Sequence, residues 1–175
     1  LVAIGMLIKK AIKGHVDLIS EAENVTNSLT GIPSFALPDL SDLFDEEKII
    51  LKNLKKIFLM LCGAGMKKFG LDIEKEQEVL LSISDIMIEI YLAESAILRT
   101  EKNYKKFGKN SQEGQISMSQ LYLYQSVELV SNRAKELIIS LSEGEEQKFL
   151  LLGLKRFTKY YNFPKPVSYT HLRAH

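Results

Sequence analysis

The chain has one cysteine among its 175 residues, and Cys62 therefore has no partner for an intrachain disulfide, an economy that suits a reducing compartment. Charge of one sign is also missing. Lysine and arginine number 23 against 22 acidic residues, so no overall field draws the protein to nucleic acid or to an acidic substrate, and any basic patch must be local. The longest uninterrupted apolar run, Ile57 to Met66, is 10 residues and includes Gly63 and Gly65. A bilayer span needs about 20 residues, so this run is no transmembrane helix. The four prolines stand at Pro33, Pro38, Pro164 and Pro166, leaving Leu43 to Lys102 free of them.

What is present is helical periodicity. Leu1 to Lys13 reads as the tail of a helix ended by Gly14, and about Val16 to Leu29 as a short helix with Leu18, Ile19, Ala22, Val25 and Leu29 on one face. Ile32 to Asp39, with Phe35 and Leu37 between Pro33 and Pro38, predicts an extended connector. Ser41 or Asp42 is placed to cap a long helix whose stripe is Leu43, Ile50, Leu54, Ile57, Leu61 and Ala64, with Asp45, Glu46 and Glu47 complementing its dipole. Gly70 ends that helix after about 40 Å, and Asp72 restarts the chain at once.

The second rod carries Leu80, Ile83, Met87, Ile90 and Ile97, with Glu78, Ser82, Asp85 and Glu89 opposite. Lys102 to Asn110 reads as a lysine-rich loop and Ser111 as the cap of a third long helix bearing Ile116, Leu123, Val127, Val130, Ala134, Leu137 and Leu141. A last helix from Glu145 to about Tyr160 presents Phe149, Leu150, Leu152 and Phe157 and stops at Asn162-Phe163-Pro164. The expected fold is all-α, an antiparallel bundle of three long and two to three shorter helices.

No residue pattern supplies a reaction. Di-iron sites in bundles need Glu-x-x-His pairs, and the chain has none. His15 follows a helix-ending glycine and reads as a surface or capping residue; Cys62, inside an apolar run, reads as a small buried hydrophobe rather than a nucleophile. Gly63-Ala64-Gly65 resembles a phosphate loop only superficially, because no strand precedes it, and close helix packing explains it better. Glu74, Glu76 and Glu78 fall where negative charge favours a helix start. Lys48, Lys52, Lys55, Lys56, Lys67 and Lys68 flank an apolar stripe, as in helices that lie on anionic membranes, although one wet face of a bundle helix gives the same pattern. No catalytic, cofactor-binding or metal-ligating residue is assigned.

Both ends look foreign to a complete protein. The chain opens Leu1-Val2-Ala3-Ile4-Gly5-Met6 without an initiator methionine, and is expected to begin inside a helix of a longer chain. Val167-Ser168-Tyr169-Thr170-His171-Leu172-Arg173-Ala174-His175 matches one reading frame of a transposase sequencing adapter, a non-native tail to be set aside.

Four phrases carry a resemblance: Gly5-Met6-Leu7-Ile8-Lys9-Lys10-Ala11, Leu43-Phe44-Asp45-Glu46-Glu47-Lys48, Ile88-Glu89-Ile90-Tyr91-Leu92-Ala93-Glu94-Ser95 and Gly153-Leu154-Lys155-Arg156-Phe157-Thr158-Lys159-Tyr160. Together, over Leu1 to Pro166, they resemble the C-terminal part of bacterial acyl-CoA dehydrogenases of the very-long-chain type. The resemblance implies a parent flavoenzyme of fatty acid β-oxidation, turning acyl-CoA into trans-2-enoyl-CoA with FAD and passing electrons to an electron-transfer flavoprotein. It implies residues 1–13 as the end of the last core helix, 14–41 as a short helix and connector, and 42–166 as an appended bundle. That bundle would serve dimerisation of a homodimer or docking to a membrane. The parent would be cytoplasmic, in contact at most with the inner membrane face, and no nucleic acid partner is implied. The Tyr-Glu-Gly-type motif that carries the family's catalytic glutamate is absent here, so the chain alone is expected to be inactive. The competing reading is a stand-alone helical interaction module with no enzymatic parent.

Overall fold

The computed structural model describes residues 2–31, 40–108 and 111–160. Six α-helices and one 3₁₀ turn account for nearly all of them, and no strand occurs among the described residues. The expected connector at Ile32 to Asp39, the stop at Asn162-Phe163-Pro164 and the tail at Val167 to His175 lie outside them.

Helix α1, Val2–Ile12, buries Ile4, Ile8 and Ala11. It ends in a two-bond cap: the Gly14 N–H donates to the Ala11 carbonyl at 2.9 Å and the His15 N–H to the Lys10 carbonyl at 2.9 Å. Such a cap requires a left-handed residue at its turn, and Gly14 has φ +72. Helix α2, Leu18–Thr30, buries Leu18, Ala22 and Val25. Ile19, expected on the same face, is instead exposed, since it lies one residue round the helix from Leu18.

Helix α3, Asp45–Phe69, is the axle of the molecule and buries Ile50, Leu54, Ile57 and Leu61 together with Met60 and Cys62. It packs against α2, against the turn that follows it and against the three helices beyond. Its start differs from expectation. The helix begins at Asp45, and the Asp45 carboxylate accepts a 2.7 Å hydrogen bond from the Asp42 N–H, the backward half of a capping box. Gly70 ends α3, but the next rod does not restart at Asp72: a 3₁₀ turn, Gly70–Lys75, intervenes because Ile73 is drawn fully into the core.

Helix α4, Gln77–Phe107, runs antiparallel to α3, as Lys48 pairing with Glu101 and Lys55 with Glu94 requires. The lysine-rich stretch expected as a loop from Lys102 is helical as far as Phe107. Tertiary contact explains this: Tyr104 packs edge-on against the buried Phe44 ring, 6.4 Å between centroids. Ser111 is no N-cap either. Its hydroxyl donates back to the Phe107 carbonyl at 2.9 Å, closing α4 rather than opening the next helix.

Helix α5, Glu113–Leu141, buries every residue of its expected stripe. Helix α6, Gly144–Phe157, buries Leu150, Gly153, Leu154 and Phe157, whereas Leu152, expected inside, is 63% exposed. The helix also stops at Phe157, short of Tyr160. Lys67 on Glu146 and Lys56 over the Phe157 ring set α6 antiparallel to α3, so α3, α4, α5 and α6 close an up-and-down four-helix ring, with α1 and α2 packed outside it.

Leu54 has no exposed surface, so Leu54→Ala leaves a cavity and lowers unfolding free energy by about 2–5 kcal/mol in urea titration. Leu152→Ala on the wet face of α6 stays within about 0.5 kcal/mol of the parent.

Candidate functional site

The six lysines of α3 divide by what faces them. Lys48 and Lys55 reach Glu101 and Glu94 of α4 at 2.8 and 2.6 Å, Lys67 reaches Glu146 of α6 at 2.8 Å, and Lys68 donates to the Ser140 carbonyl at 2.9 Å. These are fasteners between neighbouring helices, each weak on its own. Lys105 and Lys48 both donate to Glu101, which holds its carboxyl below the ordinary range. Lys56 differs: it is half-buried against Phe157, and burial, followed by the nearby charges of Lys52 and Arg156, lowers its pKa. Lys52, Lys56 and Arg156 thus form one local basic cluster on the α3–α6 seam.

The other residues singled out in the sequence stand apart from one another. His15 is exposed at the end of α1. Cys62 is fully buried, and burial pushes its thiol up to about 12, which removes the thiolate a nucleophile would need. A Cβ on Gly63 would come within 3.0 Å of the Ala22 Cβ of α2, and one on Gly65 within 3.0 Å of the Ile73 Cδ1; these glycines are where α2 and the 3₁₀ turn sit down on α3. Glu74 pairs with Lys9 of α1 at 3.4 Å, and Glu78 is exposed in the first turn of α4. No group of three or more histidine, cysteine or carboxylate side chains capable of holding a metal exists among the described residues, and no described helix is long and apolar enough to cross a membrane.

Several buried polar groups escaped the sequence reading. Ser126 donates to Glu89 at 2.6 Å and Arg133 pairs with Asp85 along the α4–α5 seam, which places Asp85 and Glu89 half-buried between helices rather than on an open face. Glu47 accepts from the Gln120 amide at 2.7 Å while its other oxygen is buried without a partner. Its position, three residues before Ile50 and seven before Leu54, was the available signal, since it falls on the apolar line of α3. Burial is the largest influence on Glu47 and raises its pKa.

A cleft of ≈ 900 Å³ opens between α2, α3 and α6 over Ile19, Ala64, Met66, Leu71 and Phe149. Its polar rim holds Glu23, Glu145 and Glu146 against Lys67, which already pairs with Glu146. A flavin dinucleotide brings a dianionic pyrophosphate that such a rim repels, and the cleft's two mid-helix residues Gly63 and Ala64 have their amides committed to α3. The lining of this cleft does not fit FAD.

Among the described residues these polar groups fasten the helices of an up-and-down bundle to one another. Residues 53–156 match the family described as acyl-CoA dehydrogenase, C-terminal domain, and the chain belongs to that family. It is 30% identical over 161 residues to a probable acyl-CoA dehydrogenase of Bacillus subtilis, covering 91% of this chain and 26% of that protein. Among solved structures it resembles an acyl-CoA dehydrogenase from Bacillus anthracis, complexed with FAD, with TM-score 0.82 and 28% identity over 94% of this chain and 27% of that one. The chain therefore spans about a quarter of the length of the relatives it matches.

Two outcomes follow from the buried groups. Cys62 does not react with a thiol reagent in native buffer and reacts fully once denaturant unfolds the chain. For Glu47, whose folded pKa is raised, the native state holds the proton longer than the unfolded state; the site's contribution to stability is whole below the ordinary carboxylate range and is lost as pH rises through the folded pKa. Glu47→Gln keeps an acceptor for Gln120 and removes the charge, so at neutral pH it gains on the order of 1 kcal/mol, a gain that vanishes in acid; equal gains at both pH values would contradict the assignment.

Proposed function

We propose that this chain is the C-terminal helical domain of a flavin-dependent acyl-CoA dehydrogenase of the very-long-chain type, a cytoplasmic enzyme that converts acyl-CoA to trans-2-enoyl-CoA with an electron-transfer flavoprotein as acceptor. In this reading residues 1–13 continue the last core helix, residues 14–41 connect, and the bundle from 42 to 166 is the appended domain, with the tail from Val167 non-native. The observation that carries it is the family match across α3 to α6. The bundle's part in the enzyme is to join two protomers; catalysis and flavin binding belong to the rest of the parent protein. The scaffold character of the polar contacts supports this division, as does the misfit of the acidic cleft to a flavin.

A second reading rests on the basic cluster. Lys52, Lys56 and Arg156 lie on one seam, and such a patch on an amphipathic surface attracts anionic lipid, giving the parent a peripheral contact with the inner membrane face. A stand-alone interaction module would share the bundle but have no catalytic parent.

The test is the gene and its product. The reading frame upstream of Leu1 is expected to encode a Tyr-Glu-Gly-type motif, and the full-length protein, not the 175-residue chain, is expected to reduce an electron-acceptor dye with a long-chain acyl-CoA. An upstream frame without a carboxylate base in that motif contradicts the enzymatic reading. Anionic vesicles at low salt should pellet the chain and release it in high salt, with Lys52→Glu/Lys56→Glu abolishing the effect; no pelleting at low salt removes the membrane reading.

A further inference from the structure

Helix α2 meets its neighbours at a few tightly fitted points. A Cβ on Gly63 of α3 would come within 3.0 Å of the Ala22 Cβ, and one on Gly153 of α6 within 2.6 Å of the Leu29 Cδ1. Two glycines on different helices thus make room for two side chains of α2, seven residues apart and on one face with Leu18 and Val25. At the same end, Arg156 of α6 donates to the Ser28 carbonyl at 3.2 Å, one of the last four carbonyls for which a helix has no partner of its own. A cation there also complements the negative end of the helix dipole. Elsewhere along α2 the wall of α6 stands off, and the cleft of ≈ 900 Å³ separates Ile19 and Glu23 from Phe149.

The residues of α2 do little to hold a helix by themselves. Val25, Thr26, Asn27, Ser28 and Thr30 are poor helix formers, and the hydroxyls of Thr26, Ser28 and Thr30 all donate back to carbonyls of the same helix, which weakens a helix interior. Helices shorter than about 12–15 residues are marginal in water even with better formers; α2 has 13 residues. Its pattern is that of a bound helix. Leu18, Ala22, Val25 and Leu29 recur at steps of four, three and four, the anchor spacing of a helix laid in a groove. The family match, moreover, begins at residue 53, beyond α2.

We propose that the groove between α3 and α6 is a helix-docking site whose ligand, held in cis, is α2. Segment 18–30 folds as it seats: Gly63 and Gly153 admit Ala22 and Leu29, and Arg156 closes its C-terminal end. The partner such a site fits is an amphipathic helix with a small residue, a leucine seven residues on, and an unpartnered carbonyl in its last turn. The ring of α3 to α6 closes on itself and keeps its fold when the site is vacant. In the proposed parent this makes α2 the joint between core helix and bundle, a consequence that rests on the enzymatic reading; the docking itself does not.

Ala22→Phe/Leu29→Asp spoils both fitted points from the α2 side and leaves the groove as it is. In the 175-residue chain carrying this pair, segment-resolved hydrogen exchange is expected to find residues 18–30 unprotected and α3 to α6 still protected. A fluorescent peptide of native residues 16–31 is expected to bind that chain saturably. Binding is expected to be about tenfold weaker or less to the unsubstituted chain, whose groove is filled, and to the double variant with Gly63→Leu, whose groove is blocked. Adding Arg156→Ala instead, which removes the donor to the last turn, is expected to weaken it about fivefold. Loss of protection throughout α3 to α6, an α2 that stays protected, or a vacant groove that takes up no peptide overturns the docking site. Binding that the unsubstituted chain or Gly63→Leu matches overturns it as well. None of these results touches the enzymatic reading, which is decided by the upstream frame.

Discussion

Everything in this molecule is arranged around the burial of α3. Leu54, Ile57 and Leu61 have no exposed surface, and one helix neighbour cannot cover a stripe that also includes Leu51, Met60 and Cys62 on adjoining lines. The helix is accordingly enclosed by α4, α5 and α6 within the ring and by α2 from outside. Apolar burial of this kind stabilises at roughly 25 cal/mol per Å², whereas each lysine pair on its flanks contributes at most about 1 kcal/mol. The ion pairs therefore choose direction and register; the stripe supplies the stability. Gly63 and Gly65 follow from the same constraint, since any Cβ there would crowd the elements that complete the enclosure.

The polar groups along the seams of the ring repeat this division of labour. Lys48 to Glu101 and Lys55 to Glu94 bind α3 to α4, Asp85 to Arg133 and Glu89 to Ser126 bind α4 to α5, and Lys67 to Glu146 binds α3 to α6. Each pairs groups far apart in sequence, and each would be lost by sliding one helix a turn along its neighbour. Glu47 is the exception, half-satisfied by Gln120 and destabilising once ionised. Apart from those of Glu47 and Lys48, these contacts lie within residues 53–156, the segment that matches the C-terminal domain family.

The helices were legible in the sequence because their apolar spacing is local information. The stripes of α3, α4 and α5 follow from three- and four-residue steps, and Gly14 and Gly70 mark ends that a left-handed residue or a break requires. What was not legible depends on contacts between distant residues. Nothing local to Lys102 to Phe107 reveals that Tyr104 meets Phe44, so a helical stretch read as a loop. Nothing local to Asp72 reveals that Ile73 would be drawn into the core, and Leu152 read as buried because α6 presents apolar residues on more than one line. The parent family was not visible from the residue types; it came from resemblance of phrases and stands on the family match.

Native-state hydrogen exchange resolved by segment tests the enclosure of α3 most directly, because amides released only by global unfolding report the element on which the rest depends. The account predicts that the amides from Leu51 to Leu61 are the last in the chain to exchange, at the rate of global unfolding, with α1 and α2 opening earlier. Exchange of that segment as fast as α1, under conditions where α4 and α5 stay protected, would contradict it.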